Sequence, residues 1–234
     1  MSELAATSSE SQAESAPQPP PKVTAADPEG ALSPGRARRA RRADAVVHIV
    51  GVPLGVLAAV ALLALTLRLP TVDLASGLGV ALYAATLVGM LVSSAAYNMT
   101  RLSVRREWLR RVDHATIFLL IAGTYSPFML AKVGGAWGIG FTAIVWACAL
   151  AGATIKVAFP RRLERTSIAL YLLLGWSVLA TLGPLIESVA AGPLWLLVAG
   201  GVVYTAGVSV YLAKRFTYHK ALWHLFVLVA AICH

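Results

Sequence analysis

Cysteine is nearly missing from this chain of 234 residues, and so is charge. Only Cys148 and Cys233 are present. Both lie inside apolar runs, which excludes the disulfide framework of a small secreted domain. Charged residues make up 13% of the sequence against 58% hydrophobic, with mean hydropathy +0.71. That balance excludes an ordinary soluble domain and identifies an integral membrane protein. Basic and aromatic residues do not interleave, so despite a net charge of +9 a nucleic-acid partner is not expected. The basic clusters flank apolar runs, where they suit the headgroups of membrane lipids. No small-residue cleavage site follows the first apolar run, so it is not expected to be removed as a signal peptide. The last apolar run, residues 221–234, holds no lysine, which excludes a retinal Schiff base there. No inverted repeat suggests a transporter.

What is present divides into two materials. Residues 1–43 are rich in Ser, Ala, Pro and charge and are expected to form a disordered cytoplasmic tail ending in a basic cluster, Arg36 to Arg42. Residues 44–234 contain seven stretches near the length of about 20 apolar residues that a spanning helix needs. They run Val46–Leu67, Ala75–Tyr97, Val112–Leu130, Ala136–Phe159, Ser167–Ile186, Gly192–Ala213 and Ala221–His234. The last spans only if its helix starts near Phe216, tilts, or thins the bilayer. The predicted fold is all-α, a seven-transmembrane helix bundle. Small residues at Gly51, Gly55, Gly77, Gly79, Gly138, Gly140, Gly200 and Gly201 are expected to allow close helix contact. Pro127 and Pro184 are expected to kink or end their spans.

Orientation follows from the Lys and Arg count between spans. One side carries Lys22 and five arginines before the first span, then Arg101, Arg105, Arg106, Arg110 and Arg111, then Lys156, Arg161, Arg162 and Arg165, then Lys214, Arg215 and Lys220. The other carries Arg68 and Lys132. Eighteen against two puts the N-terminus in the cytoplasm and the C-terminus outside.

With that topology, polar side chains gather at one depth near the cytoplasmic side. Asp44 and His48 are four apart at the start of the first span, and Ser94 and Asn98 at the end of the second. Asp113 and His114 open the third, and Lys220 and His224 open the seventh. Any one pair reads as a helix cap or a snorkelling side chain. Four coincident pairs read as a metal, proton or ligand site inside a helical bundle.

The segments Ser94-Ala95-Ala96-Tyr97-Asn98, Arg111-Val112-Asp113-His114 through Gly123-Thr124-Tyr125-Ser126-Pro127-Phe128, and Lys220 through His224 to His234, together with Asp44, His48 and Gly51, resemble the hemolysin III family. That family is the bacterial branch of the progestin and adiponectin receptor superfamily. The resemblance implies a multi-pass protein of the bacterial cell membrane. In members with the full motif it implies a zinc ion held by three histidines near the cytoplasmic side, and related receptors are thought to hydrolyse lipid amides such as ceramide.

This chain departs from the pattern at two of the three ligand positions, which are Asn98 and Lys220; only His224 matches. A neutral amide is a poor zinc ligand and an ammonium repels the cation. No cofactor is therefore expected, with zinc the family's alternative. Lys220 is expected to pair with Asp113 in place of the metal. His219 is turned by about 100° from Lys220 on a helix, and His234 lies about 15 Å along the helix from His224, so neither is a substitute. Two functions follow. The favoured one is a non-catalytic protein with a degenerate polar site, made of Asn98, Asp113, Lys220, His224, Asp44 and His48, with a receptor-like, lipid-binding or cytolytic role and a lipid-like small molecule as its ligand. The alternative is a zinc-dependent intramembrane hydrolase of a lipid amide, with His224 as ligand, Asp113 activating water and Ser94 near the substrate carbonyl.

Overall fold

The computed structural model describes residues 33–70, 72–100, 104–159, 164–213 and 216–234. Among these residues there are helices and turns and no strand. The helices are α1 (Pro34–Arg68), α2 (Leu74–Met99), α3 (Val104–Ser126), α4 (Gly135–Ala158), α5 (Glu164–Trp176), α6 (Leu182–Ser188), α7 (Ala191–Leu212) and α8 (His219–Cys233). A π-helical segment, Pro127–Val133, continues α3, and a 3-10 segment, Ser177–Thr181, joins α5 to α6. Counting these continuations, six helical stretches are long and apolar enough to cross a membrane, and α8 is a shorter apolar helix.

Two boundaries differ from the sequence expectation. Helix α1 begins at Pro34, so residues 34–43, read as part of the tail, are its first turns. Arg and Ala are strong helix formers and Pro at the first helical position is pre-set for the turn. At 35 residues α1 is about 52 Å long by a rise of 1.5 Å per residue, so its arginine-bearing end projects beyond the hydrocarbon. Residues 1–32, the rest of the expected tail, lie outside the described residues, as do Arg101, Arg161, Arg162, Lys214 and Arg215. Helix α8 starts at His219 and not near Phe216; Phe216 instead closes a turn by accepting the His219 N–H at 3.2 Å. Its 15 residues reach only about 22 Å.

Both prolines act near where they were expected, through different devices. Pro127 opens the π-helical segment, which ends at Gly134 with φ 60°, a conformation that favours glycine. Pro184 sits inside α6, and the break lies upstream at Ser177–Thr181. The ring of a proline removes one backbone donor and crowds the carbonyl four residues back, here Ala180. The Tyr125 hydroxyl repairs this break, accepting the Val178 N–H at 2.9 Å and approaching the Gly175 carbonyl at 2.6 Å.

Close helix contact is real at most of the expected glycines. A Cβ at Gly51, Gly55, Gly79, Gly138, Gly200 or Gly201 would meet a neighbouring element, whereas Gly140 faces open space. The tightest approach was not singled out from sequence: Gly123 of α3 packs against the Thr86 side chain and Leu82 carbonyl of α2.

Contacts between helix ends establish which ends lie together. Arg110 at the start of α3 bridges Glu164 at the start of α5 at 3.3 Å, and Arg111 donates to the Val157 carbonyl at the end of α4 at 3.3 Å. Lys156, also near the end of α4, donates to Ser167 of α5 at 3.1 Å. Asp44 of α1 meets His224 of α8. One end of the bundle therefore gathers the described basic clusters, and it is the cytoplasmic end by the positive-inside rule.

Candidate functional site

The site begins with the packing of α1. Its buried residues, Ala37, Ala40, Asp44, His48, Gly51, Gly55 and Ala59, recur every three or four positions, so they form one stripe against the bundle. Asp44 and His48 lie on that stripe among small neighbours, which lets α8 come close. His224 of α8 places Nδ1 2.6 Å from Asp44 Oδ1. An ionised carboxylate only accepts, so Nδ1 carries the proton and donates it, leaving the Nε2 lone pair free. The rings of His48 and His224 lie 4.4 Å apart, tilted by 53°, and His48 Nε2 is 3.8 Å from Asp44 Oδ2.

Helix α2 supplies the next layer. Asn98 Nδ2 donates to the Ser94 carbonyl at 2.9 Å, and it lies 3.5 Å from His224 Nε2. The Ser94 carbonyl can only accept, so the Asn98 nitrogen is assigned by this bond. It presents an N–H, and not a lone pair, toward His224. Asp113 of α3 is buried beside Ser94, with Oδ2 3.5 Å from His114 Nδ1. His114 itself is engaged elsewhere: Nδ1 donates to the Arg110 carbonyl at 2.7 Å, and its own carbonyl accepts from the Tyr171 hydroxyl at 2.8 Å.

Lys220 does not take the place expected of it. No ion pair between Lys220 and Asp113 occurs among the described residues; Lys220 shares a cavity of about 40 Å³ with Asp44, Asn98, Arg41 and Arg106. Lys220 and His224 share a face but differ in depth: Lys220 lies one turn nearer the start of α8 and borders the small cavity, whereas His224 borders the larger one. Asp113 instead faces a larger cavity, about 380 Å³, together with Ser94 and His224. The polar layer is thus one continuous group, Asp113–Ser94–Asn98–His224–Asp44–His48, with Lys220 on the Asp44 side. His219 and His234 lie apart from it. His219 Nδ1 meets the Phe216 carbonyl at 2.8 Å, and His234 Nε2 meets the Leu197 carbonyl at 3.2 Å.

The large cavity runs from this layer into an apolar interior walled by Met90, Ile117, Leu120, Tyr171, Trp223 and Val227 among others. It also borders Leu179, Leu182, Ile186, Trp195 and Val198 of α5–α7, all of them exposed on the outer face of the bundle. Residues that line a cavity and also face outward mark an opening, and here it faces the acyl chains.

Sequence reasoning missed Tyr125, whose hydroxyl bridges α3 to the broken α5–α6 span, and the bond from Trp146 Nε1 to Ser126 Oγ at 3.0 Å. The only signal for them was their place in the Gly-Thr-Tyr-Ser-Pro run.

Residues 41–234 match the family model for haemolysin-III related proteins. The chain belongs to the haemolysin-III related family. It is 34% identical over 189 residues to the hemolysin-3 homolog of Bacillus subtilis, covering 80% of this chain and 86% of that protein. It is 39% identical over 117 residues to hemolysin-3 of Bacillus cereus, covering 50% and 53%. The human monocyte to macrophage differentiation factor is 23% identical over 161 residues, covering 65% of this chain and 66% of that one. Like its bacterial relatives in the haemolysin-III family, the chain is a multi-pass protein of the bacterial cell membrane.

The zinc set that the family pattern implies does not fit this chain. Of its three positions, Asn98 turns an N–H toward His224 and Lys220 brings an ammonium. Of the three family positions only His224 is left as a donor, two short of that set.

Proposed function

We propose that this haemolysin-III protein binds a single-chain amphipathic lipid, with its acyl chain in the large cavity and its headgroup against Asp113, Ser94 and His224. The observation that carries this reading is the shape of that cavity. Its wall is apolar along nearly its whole length, opens toward the lipid side at α5–α7, and ends on buried Asp113 and Ser94 and half-buried His224. Apolar pockets with a few convergent polar groups are what ligand sites look like. Asp113 is a hydrogen-bond acceptor and Ser94 both donates and accepts, so a hydroxyl or amide headgroup is favoured over a carboxylate. The site is degenerate with respect to the family's ligand positions, and this role requires no metal.

Trp176, Trp195 and Trp223 line the cavity and report on its contents. Purified full-length protein in nanodiscs, titrated with a brominated single-chain monoacylglycerol, should show saturable quenching of tryptophan fluorescence. Val198→Trp, which narrows the opening, and Asp113→Leu, which removes the headgroup acceptor, should each weaken it at least tenfold, about 1.4 kcal/mol. Quenching that rises linearly with bromolipid and ignores both variants would show partition into the bilayer alone and sink the proposal. Release of dye from loaded vesicles at the same protein density would favour the cytolytic role instead.

A further inference from the structure

Asp44, His48 and His224 are the one group of three or more His, Cys, Asp or Glu side chains among the described residues that could hold a metal ion, with ligand atoms all within 4.8 Å of one another. The family pattern draws two of its three zinc ligands from positions occupied here by Asn98 and Lys220, whereas this group draws two of three from α1. A second observation singles it out. His48 is only 5% exposed, yet its Nε2 has no hydrogen-bond partner. A buried imidazole nitrogen without a partner costs free energy unless something else engages it. It points to the same carboxylate that His224 already holds, 3.8 Å away.

We propose that Asp44, His48 and His224 form a divalent-cation site distinct from the three-histidine set of the family, with His48 supplying a nitrogen in place of the ligands lost at Asn98 and Lys220. Two imidazoles and one carboxylate match the donor set of zinc sites that keep a fourth position open, and they suit cobalt(II) equally well. On binding, the hydrogen bond between His224 and Asp44 gives way to one bond from each to the ion, and the His224 proton passes through water from Nδ1 to Nε2, so the ring stays neutral. The three donor atoms already lie within 4.8 Å of one another, and an ion between them would draw them closer.

An opposing force acts beside the site. Arg41, Arg106 and Lys220 border the neighbouring small cavity on the Asp44 side, and their charge repels a cation. This makes a signed test available: Lys220 is not a ligand, so removing it should tighten binding, while removing either histidine should weaken it more than about 100-fold. The inference goes beyond lipid binding and fails separately, since headgroup contact through Asp113 and Ser94 needs no ion.

The experiment uses full-length protein without a histidine tag, in detergent, titrated with cobalt(II) and followed by visible absorption, with competition by zinc and metal content measured after dialysis. Expected are one site per chain, a ligand-field spectrum of low coordination number, and displacement of cobalt by zinc. His48→Ala should lose more than about 100-fold in affinity, beyond the about 10- to 100-fold that outer-shell changes cost. Lys220→Ala should bind at least several-fold more tightly than the parent. His48→Gln, closer in shape, serves if His48→Ala does not elute as a single folded species. No stoichiometric cobalt uptake by folded parent protein and by Lys220→Ala would overturn the proposal. Equal affinity in the parent and a folded His48 variant would overturn it too, because the ligands would then lie elsewhere.

Discussion

The third span and the fifth are built from similarly apolar sequence but are packed in opposite ways. In Val104–Val133, 39% of the most apolar window is buried inside the protein, against 11% in Glu164–Ser188. The first passes through the middle of the bundle, with Gly123 drawn against Thr86, Phe118 against Gly152, and Asp113 in the polar layer. The second lies at the edge, interrupted at Ser177–Thr181 and tied to α3 by Glu164 to Arg110, by Tyr171 to the His114 carbonyl and, at the break, by the Tyr125 hydroxyl. Lipid tails are as apolar as leucine, so the bilayer does not force such a helix inward; close packing of small residues does. Where small residues meet, the bundle is dense. Where the chain breaks and large side chains face outward, it leaves the cavity.

Added bulk should act very differently in the two spans. Gly123→Leu places a side chain where Thr86 and the α2 backbone already stand, and should cost about 3 kcal/mol, the upper part of the range for overpacking. Gly183→Leu, where nothing lies within 4 Å, should change stability by less than about 0.5 kcal/mol. Thermal unfolding in one detergent compares them directly, and equal losses would refute the picture of a dense half and a loose half.

Next in size is His224→Ala, which strands the Asp44 carboxylate in a buried position. We expect a loss of about 2 kcal/mol, within the range for hydrogen bonds to charged groups. Asp44→Asn should lose less, since the amide still offers an oxygen to the ring. The reverse order in denaturant unfolding would mean that Asp44 is held mainly by its cationic neighbours.

Tyr125→Phe keeps the ring and removes the hydroxyl that accepts from Val178. A cost of about 1 kcal/mol is expected, concentrated at the break: amide exchange should quicken over residues 174–182 and stay unchanged in α2. The smallest effect belongs to Asp73, exposed between α1 and α2, whose carboxylate caps α2 by accepting the Ser76 N–H at 2.8 Å. Hydrogen bonding to Ser76 holds its pKa below the usual 3.8. A carboxyl lowered in the folded state contributes above its ordinary value and loses that contribution as pH falls through the folded one. Stability of the parent should therefore fall more than that of Asp73→Ala when pH drops below about 4, and identical pH profiles would show that the cap is immaterial.

How much of the site could be read in advance varies residue by residue. That Asp44, His48, Ser94, Asn98, Asp113 and His224 share one depth was legible, because depth depends only on distance along a helix from a span end. Which of them touch was not. Lys220 was expected on Asp113, and the structure brings it to the Asp44 side, since the position of each helix along and about its axis is set by packing among neighbours. The start of α1 was misplaced for a different reason: a run of arginines reads as solvated tail by composition, yet it is a good helix once Pro34 starts it.

Sequence alone determined the membrane class, the number of apolar stretches and the charged end, which follow from composition and from local spacing along single helices; that Asn98 and Lys220 stand where the family pattern has histidines is read from the resemblance. Tertiary structure decided the rest: the Asp44–His224 contact, the orphan nitrogen of His48, the opening beside α5–α7, and the repair of the broken span by Tyr125. These are relations between helices far apart in the chain. They depend on which small residues let two backbones approach, and that is a property of the packed bundle.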